Sequence, residues 1–344
     1  PPKVVPEPIP PAEVEEEVVP PKVVPEPIPP EEVEEEVPIE KLIIGKVARV
    51  FEGHGKGVAS VAFSPSGKYI VSGSKDNTIK IWELHTGKLV RTLEGHKKYV
   101  NSVVISSDGR YIISGSNDKT VKVWEFSTGQ LIRTLKGHTF YVLSVAISPD
   151  GNYVVSSSFD KEIKIWDFTT GELVRTLEGH GKEISSIAIS PDSNYVVSGS
   201  NDKTIKIWEL NSGKIIRTID GHKKFITSVV VSPDGQYIVS GSNDKTVKVW
   251  EFSTGELIRT LKGHTFYVLS VAISPDGKYV VSSSFDKELK IWDLATGALV
   301  ETIKGHRREV DSIAISPDGK YIVSGSNDKT IKIWNYPVMN SMGH

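Results

Sequence analysis

The sequence predicts an all-β fold built from seven copies of one four-stranded unit, preceded by a segment of very different composition. Three observations lead to this prediction. The dipeptide Gly-His recurs every 42 residues from His54 to His306, and tryptophan recurs every 42 residues from Trp82 to Trp334. Between these markers the chain consists of short β-branched runs separated by turn-forming residues. A fixed period of this length indicates a repeat architecture, in which each copy is one structural unit.

Each 42-residue unit contains four runs that favour strands. In the copy that begins near residue 142, the runs are VLSVAIS, YVVSSS, IKIWDF and LVRTLEG. The segments SPDG, FDKE and TTGE separate them, and they carry residues typical of tight turns. Because β-branched residues fit a pleated, half-buried surface, we expect four short antiparallel strands in each unit.

The order of these markers resembles that of the WD40-repeat family. Gly-His is followed by a strand, then by a turn that carries Asp, and then by a strand that ends in Trp and an acidic residue. The pair Trp-Asp itself begins at Trp166 and Trp292, four copies have Trp-Glu, and the last copy has Asn335 at the acidic position. The resemblance implies a seven-bladed β-propeller, in which four-stranded blades surround a central channel.

The ring is expected to close with a strand from the N-terminal side of the propeller. Only ten residues follow Trp334, and they supply no fourth strand for the last blade. Residues 46–53, KVARVFEG, align with residues 88–95, KLVRTLEG, which are expected to form an outer strand. Closure of this kind removes the unpaired strand edge. We therefore divide the chain into a Pro/Glu-rich tether at 1–45, a propeller at 46–335 and a short tail at 336–344.

The tether begins with two copies of a 19-residue unit, PPKVVPEPIPPAEVEEEVV and PPKVVPEPIPPEEVEEEVP. Proline interrupts both helix and sheet in each unit, because it lacks an amide proton. Residues 1–45 contain 12 Glu, no Asp and 3 Lys, which leaves 38 basic and 31 acidic residues for the rest of the chain. The sequence thus predicts an acidic, extended polyproline-type spacer on a mildly basic body. A proline-motif ligand for another domain is the alternative.

Composition excludes several classes of protein. The 344 residues include no cysteine, which excludes a disulfide framework and a Cys-based zinc or redox site. The apolar runs are too short for a transmembrane helix and no signal peptide is visible, so we expect a cytoplasmic protein without membrane contact. The basic excess is spread around the ring and no helix is available for a groove, so no nucleic-acid partner is expected. A monomer is favoured.

Every copy contains one Ser, one His and one Asp, the residue types of a nucleophilic triad. A triad needs one activated serine beside an oxyanion hole and an open cleft, whereas this set is repeated seven times. The family resemblance implies instead that Asp holds His, that His bonds Ser, and that Ser meets the Trp indole. In the fourth and fifth copies these sets are Asp202, His180, Ser198 and Trp208, and Asp244, His222, Ser240 and Trp250. We predict no catalytic residue, no metal site and no cofactor.

Two copies carry aromatic residues where most of the others carry polar ones. In the family's geometry, the loop after Gly-His and the turn with Asp open on one face, called the top. The side chains predicted to bind a partner there are Phe140, Tyr141, Leu143, Phe159, Phe266, Tyr267, Leu269 and Phe285, with Tyr99 and Phe225 beside them. The predicted basic rim consists of Lys56, Lys98, Lys182, Lys224 and Arg308. Aromatic anchors among basic residues are typical of an interface hot spot.

The predicted function is a non-enzymatic scaffold that binds a peptide or protein segment on the top face. Residues 117–167 and 243–293 differ at only three of 51 positions, so the second aromatic group is a copy of the first, and an inert plug of the channel mouth is the alternative to a binding surface. Two other functions stay open: a small-ligand or glycan sensor that uses the central aromatics, and a structural assembly module of a longer chain. A peptide ligand should bind in a salt-dependent way through the basic rim, whereas a neutral glycan should not.

Overall fold

The computed structural model describes residues 46–336, which form 28 β-strands in seven four-stranded sheets. The predicted seven-bladed propeller is therefore confirmed. No helix in this range is long and apolar enough to cross a bilayer. The spacer predicted for residues 1–45 and most of the predicted tail, residues 337–344, lie outside the described residues.

Each of the first six blades is formed by four consecutive strands. Blades 1, 2 and 3 contain β2 (Val58–Phe63), β3 (Tyr69–Ser74), β4 (Ile79–Glu83), β5 (Leu89–Leu93), β6 (Val100–Ile105), β7 (Tyr111–Ser116), β8 (Thr120–Glu125), β9 (Leu131–Lys136), β10 (Val142–Ile147), β11 (Tyr153–Ser158), β12 (Ile163–Asp167) and β13 (Leu173–Leu177). Blades 4, 5 and 6 contain β14 (Ile184–Ile189), β15 (Tyr195–Ser200), β16 (Ile205–Glu209), β17 (Ile215–Ile219), β18 (Ile226–Val231), β19 (Tyr237–Ser242), β20 (Thr246–Glu251), β21 (Leu257–Lys262), β22 (Val268–Ile273), β23 (Tyr279–Ser284), β24 (Glu288–Asp293) and β25 (Leu299–Lys304). Blade 7 contains β26 (Val310–Ile315), β27 (Tyr321–Ser326), β28 (Ile331–Asn335) and β1 (Val47–Phe51).

Blade 7 is completed by β1, as the alignment of residues 46–53 predicts. Its strand order is β1-β28-β27-β26, and β1 runs antiparallel to β28 with Phe51 opposite Ile331. The ring of Phe51 also stacks on Trp82 of blade 1, with 5.6 Å between the ring centroids. At the other end, Tyr336, the first residue of the predicted tail, is buried in the cluster between blades 6 and 7. The packed part of the chain therefore extends one residue further than expected.

The hydrophobic core lies between adjacent blades. Because side chains alternate along a strand, each sheet presents apolar residues to both of its neighbours. Between blades 1 and 2, for example, Ile79 and Ile81 pack with Val100, Val103 and Trp124. Seven such clusters occur in the described residues, and each contains one of the seven tryptophans. Fully burying a large apolar side chain contributes about 1.5–3 kcal/mol, so these contacts stabilise the blade-to-blade packing.

The first strand of each blade contacts the first strands of both neighbouring blades and so lines the channel. Each of these inner strands begins with a β-bulge, as the shifted register between Val142 and Ser144 of β10 shows. The extra residue in that bulge is Leu143, and its counterpart in blade 6 is Leu269. A bulge changes the direction of a side chain at the end of a ladder. Both leucines, which are half-buried, therefore lie at the top end of the channel wall.

Candidate functional site

The predicted Asp-His-Ser-Trp sets form a hydrogen-bonded chain inside each blade. In blade 4, the Nδ1 atom of His180 lies 2.7 Å from Asp202 Oδ2, and its Nε2 atom lies 2.7 Å from Ser198 Oγ. The indole N–H of Trp208 donates to Ser198 Oγ at 2.8 Å. Blade 5 has the same three contacts, all at 2.8 Å, among Asp244, His222, Ser240 and Trp250. The other five blades repeat them.

The charge on the aspartate fixes the direction of these bonds. Burial pushes the pKa of Asp202 up, but hydrogen bonds from His180 and Thr204 outweigh it, and the pKa falls well below its usual range. An ionised carboxylate only accepts, so His180 donates its Nδ1 proton to Asp202. The Nε2 atom then accepts the hydroxyl proton of Ser198, which accepts in turn from Trp208. The chain thus links the top turn to the third strand with every polar atom paired.

The serines in these chains are closed to solvent. Ser198 and Ser240 are 0% exposed, and their histidines are almost as deeply buried. A nucleophilic serine must reach a substrate carbonyl beside an oxyanion hole. The seven chains present no open nucleophile, and their chemistry is that of a structural support for each blade.

One acidic group in blade 3 has the composition of a metal site. Ligand atoms of His138, Asp160 and Glu162 lie within 4.8 Å of one another. Both ring nitrogens of His138 are already bonded, to Asp160 and to Ser156. Glu162 forms an ion pair with Lys164 at 2.8 Å. These contacts account for the group without an ion.

The predicted partner-binding residues lie at the opposite end of the strands from the SPDG turns. The backbone N–H of Phe159 donates to the carbonyl of Tyr141 at 2.9 Å, and Phe285 bonds Tyr267 in the same way. This bond joins the turn that carries Asp to the loop before the inner strand. The two loops therefore form one surface in each blade, as the sequence analysis expected.

Three aromatic rings meet on this surface in blade 3 and again in blade 6. We call Phe140, Tyr141 and Phe159 the blade-3 cluster, and Phe266, Tyr267 and Phe285 the blade-6 cluster. Phe140 and Phe159 stack with 5.1 Å between their centroids, and Tyr141 lies 4.7 and 6.2 Å from them. The blade-6 cluster repeats this geometry, with centroid distances of 5.1, 4.7 and 6.3 Å.

The clusters are open to solvent on one side. Phe140 and Phe159 are 40% and 41% exposed, whereas Tyr141 is half-buried. Phe266 and Phe285 have matching exposures of 41% and 43%. Rings that stay about 40% exposed leave apolar surface for a ligand.

Four of the five residues of the predicted basic rim lie over aromatic rings. Lys98 of blade 2 lies over Tyr141 of blade 3, with 5.9 Å from its Nζ atom to the ring centroid, and Lys224 lies 5.7 Å from Tyr267. The remaining pairs of this kind are Lys56 over Tyr99 at 5.5 Å and Lys182 over Phe225 at 5.4 Å. Each lysine thus covers the ring of the following blade, an arrangement that favours cation–π attraction.

Arg308 has a different neighbourhood from the four lysines. Arg308 is exposed, and the following blade, blade 1, has Gly57 at the position where the blades that follow the four lysines have an aromatic ring. Two lysines outside the predicted rim, Lys119 and Lys245, have their Nζ atoms 5.8 Å from the ring centroids of Phe140 and Phe266. They follow the turn Asp in blades 2 and 5, so their contacts with blades 3 and 6 depend on how neighbouring blades pack.

Blades 4 and 7 carry acidic residues between the two clusters. Glu183 and Glu309 occupy the position of Tyr141 in these blades. In blade 7, Asp311 forms an ion pair at 2.7 Å with Lys75 of blade 1. Burial raises the pKa of Asp311, and the Lys75 ammonium opposes this shift. The top face therefore consists of two aromatic and basic regions separated by acidic positions.

Comparison with protein families agrees with the geometry of the blades. The family model of the WD domain, G-beta repeat, matches residues 45–83, 87–125 and 129–167. The model of the WDR3 first beta-propeller domain matches residues 160–336, which is half of the chain. Together the two matches cover the described propeller except residues 84–86 and 126–128.

Proposed function

Because this chain belongs to the WD40-repeat family, whose propellers generally bind proteins or peptides, we propose that its top face binds an extended peptide or protein segment. The observation that carries this proposal is the pair of solvent-exposed three-ring clusters on one face, each covered by lysines of the preceding blade. Rings supply large contact areas at low entropic cost, and lysines supply charge complementarity. The cytoplasmic location and monomeric state expected from the sequence belong to the same proposal.

A non-catalytic role fits both the family and the chemistry. WD40 propellers are typically non-enzymatic scaffolds. In this chain, the residue types that a hydrolase would use are buried inside the blades as hydrogen-bonded supports. The proposed activity is therefore binding, with no covalent step.

The shape of the top surface favours a long ligand over a small one. The clusters lie three blades apart and their phenylalanines face solvent, so a single small molecule contacts one of them at most. Grooves with volumes of about 400 and 420 Å³ lie between blades 4 and 5 and between blades 5 and 6. Both are lined by residues of the SPDG-type turns, such as Asp192 and Gly277, on the face opposite the clusters.

Peptide binding is tested with the full chain and a displayed library of random peptides. Enriched peptides are titrated calorimetrically against the wild type and against Phe159→Ala and Phe285→Ala variants. We expect each variant to lose about 1 kcal/mol or more of binding free energy, as truncated aromatic anchors do, with little change in melting temperature. Leu173→Ala is the matched control, because Leu173 is 45% exposed on an outer strand.

Two results would count against this function. If Phe159→Ala unfolds the protein while residual binding persists, the rings plug the channel mouth and are not anchors. If the enriched ligands bind independently of salt, or if neutral glycans bind and peptides do not, the basic residues do not select the ligand.

A further inference from the structure

The top face carries two aromatic clusters, and the N-terminal segment contains two copies of one 19-residue unit. The face carries two ring clusters with nearly identical centroid distances. Residues 1–19 and 20–38 are two copies of one unit that differ only at Ala12, which matches Glu31, and at Val19, which matches Pro38. Two sites and two candidate ligands are therefore present in one chain.

Each 19-residue unit has the chemistry that a ring cluster can bind. Its middle contains the segment PEPIPP. Proline-rich segments dock on aromatic-lined surfaces, because the preformed polyproline helix loses little entropy and exposes its rings. In the blade-3 cluster, Phe140 and Phe159 stack and remain 40% and 41% exposed beside the covering lysines, so part of each ring is accessible to such a segment.

The charges of the two partners are complementary. In each unit the prolines are followed by the run EVEEEV, so the acidic end lies next to the proline segment. Lys98 and Lys119 lie 5.9 and 5.8 Å from ring centroids of the blade-3 cluster, and Lys224 and Lys245 lie 5.7 and 5.8 Å from those of the blade-6 cluster. A unit whose prolines cover the rings therefore brings its glutamates beside these ammonium groups, which attract them.

The tether is long enough to reach both clusters. It joins the propeller at Val47 on the outer edge of blade 7, at the end of β1 that pairs with Trp334 and lies nearer the SPDG turns, so it crosses the height of the blade to reach the top face. In a polyproline-type conformation, the 34 residues from 12 to 45 extend to about 105 Å and the 15 residues from 31 to 45 to about 47 Å, at about 3.1 Å per residue. A compact domain of the size of residues 46–336 is roughly 50 Å across by the scaling of radius of gyration with length. Tethering also makes the contact intramolecular, with an effective concentration that depends on the length and stiffness of the linker.

We propose that residues 1–38 are a built-in ligand of the top face. Each unit places its prolines on one ring cluster and its glutamates beside the lysines of the preceding blade, within the same molecule. The inference rests on the proposed function, because it requires that the clusters bind peptides. Its consequence is competition: an external ligand must displace the chain's own segment.

Carbodiimide coupling of carboxylates to amines tests this contact in the full chain. We expect coupling within the monomer between the glutamates of residues 13–17 and 32–36 and the lysines that cover the clusters, namely Lys98, Lys119, Lys224 and Lys245. Peptide mass mapping identifies the joined residues. At 1 M salt, where the Debye length is about 3 Å, the yield should fall several-fold.

Variants of the tether distinguish the contribution of its glutamates from that of its prolines and leave the propeller unchanged. Replacing Pro25, Pro27, Pro29 and Pro30 by Ala keeps all glutamates of the second unit, with the first unit as the internal control. We expect a several-fold loss of coupling for the second unit only. Unchanged coupling after this replacement, coupling spread over lysines of the opposite face such as Lys278 and Lys320, or coupling found only between two chains would each overturn the proposal.

The outcome is distinguishable from failure of the proposed function. If library peptides bind the clusters in a ring-dependent way but the tether does not couple there, the function holds and the built-in ligand is wrong. If neither library peptides nor the tether require the rings, both are wrong. If both hold, deletion of residues 1–38 should raise the affinity for library peptides at least ten-fold at low salt.

Discussion

The buried hydrogen-bonded chains and the exposed ring clusters use the same 42-residue repeat in opposite ways. The chains occur in all seven blades, with His–Asp distances between 2.7 and 2.9 Å. The clusters occur only in blades 3 and 6 of the described propeller. Five blades form without an aromatic cluster, but no blade forms without an Asp-His-Ser-Trp set. A feature present in every repeat therefore meets a requirement of the blade, whereas a feature confined to two repeats needs another explanation, such as binding.

The largest expected loss of stability comes from removing β1, the strand that lies before the first repeat and completes the last blade. Deletion of residues 46–52 takes away the β1–β28 ladder and the stacking of Phe51 on Trp82. Truncation of a buried Phe alone costs about 3–5 kcal/mol, so we expect the free energy of unfolding to fall by more than that. Deletion of residues 1–40 is the control and should lower the free energy of unfolding by only about 1.4 kcal/mol, the value that corresponds to ten-fold competition by the built-in ligand. A comparable loss in the control would show that the tether supports the fold.

A smaller effect is expected from breaking one chain at a time. Asp202→Ala and Asp244→Ala each remove the acceptor of a buried histidine and of backbone N–H groups. Buried groups left without partners cost about 1–3 kcal/mol, so both variants should lose that much stability in urea unfolding. Equal losses in the two blades would support a common structural role. A hydrolase activity that disappears with one serine variant alone would contradict it.

Acid should weaken all seven chains together. Hydrogen bonds outweigh burial and lower the pKa of Asp160 and Asp286 to about 2, and the other five aspartates are also shifted down. An aspartate in the unfolded chain has a pKa of about 3.9. The contribution of these aspartates to the free energy of unfolding is therefore complete above about pH 4, and it is lost as the pH falls towards about 2. Urea unfolding across this range should show a steep loss for the wild type, and a shallower slope for Asp202→Ala.

The smallest expected effect is a difference in stability between equivalent serine variants of blades 3 and 6. Ser157 and Ser283 stand where five blades have Gly, and both are 0% exposed. The Ser283 hydroxyl donates to the carbonyl of Val310 at 2.9 Å, whereas within the described residues the Ser157 hydroxyl has no partner. Ser283→Ala should therefore cost about 1 kcal/mol, while Ser157→Ala should be neutral or stabilising by a similar amount. Losses of equal size by differential scanning calorimetry would show that the blades are equivalent.

Features that depend on the pattern of one repeat could be predicted from the sequence. Contacts between side chains of neighbouring repeats could not. The closure by β1 was predictable because residues 46–53 align with an outer strand of the same period. The contact of Lys119 with Phe140 was not, since it joins side chains of two blades. The ion pair of Lys75 and Asp311 joins residues 236 positions apart across the seam of the ring. Periodicity specifies the blade, while the angle between blades decides which side chains meet on the top face.

Ring closure by β1 also sets the order of events during synthesis. β1 leaves the ribosome first among the propeller strands, and its partner β28 leaves last, about 280 residues later. At about 5–20 residues per second, this interval is roughly 15–60 s. Throughout it, β1 offers an unpaired edge and Phe51 lacks the partner strand, so the final pairing is a slow, long-range step. The β1 strand of a second nascent chain presents the same residues to β28. Exchange of β1 between two unfolded chains is therefore the misassembly that this mode of closure permits.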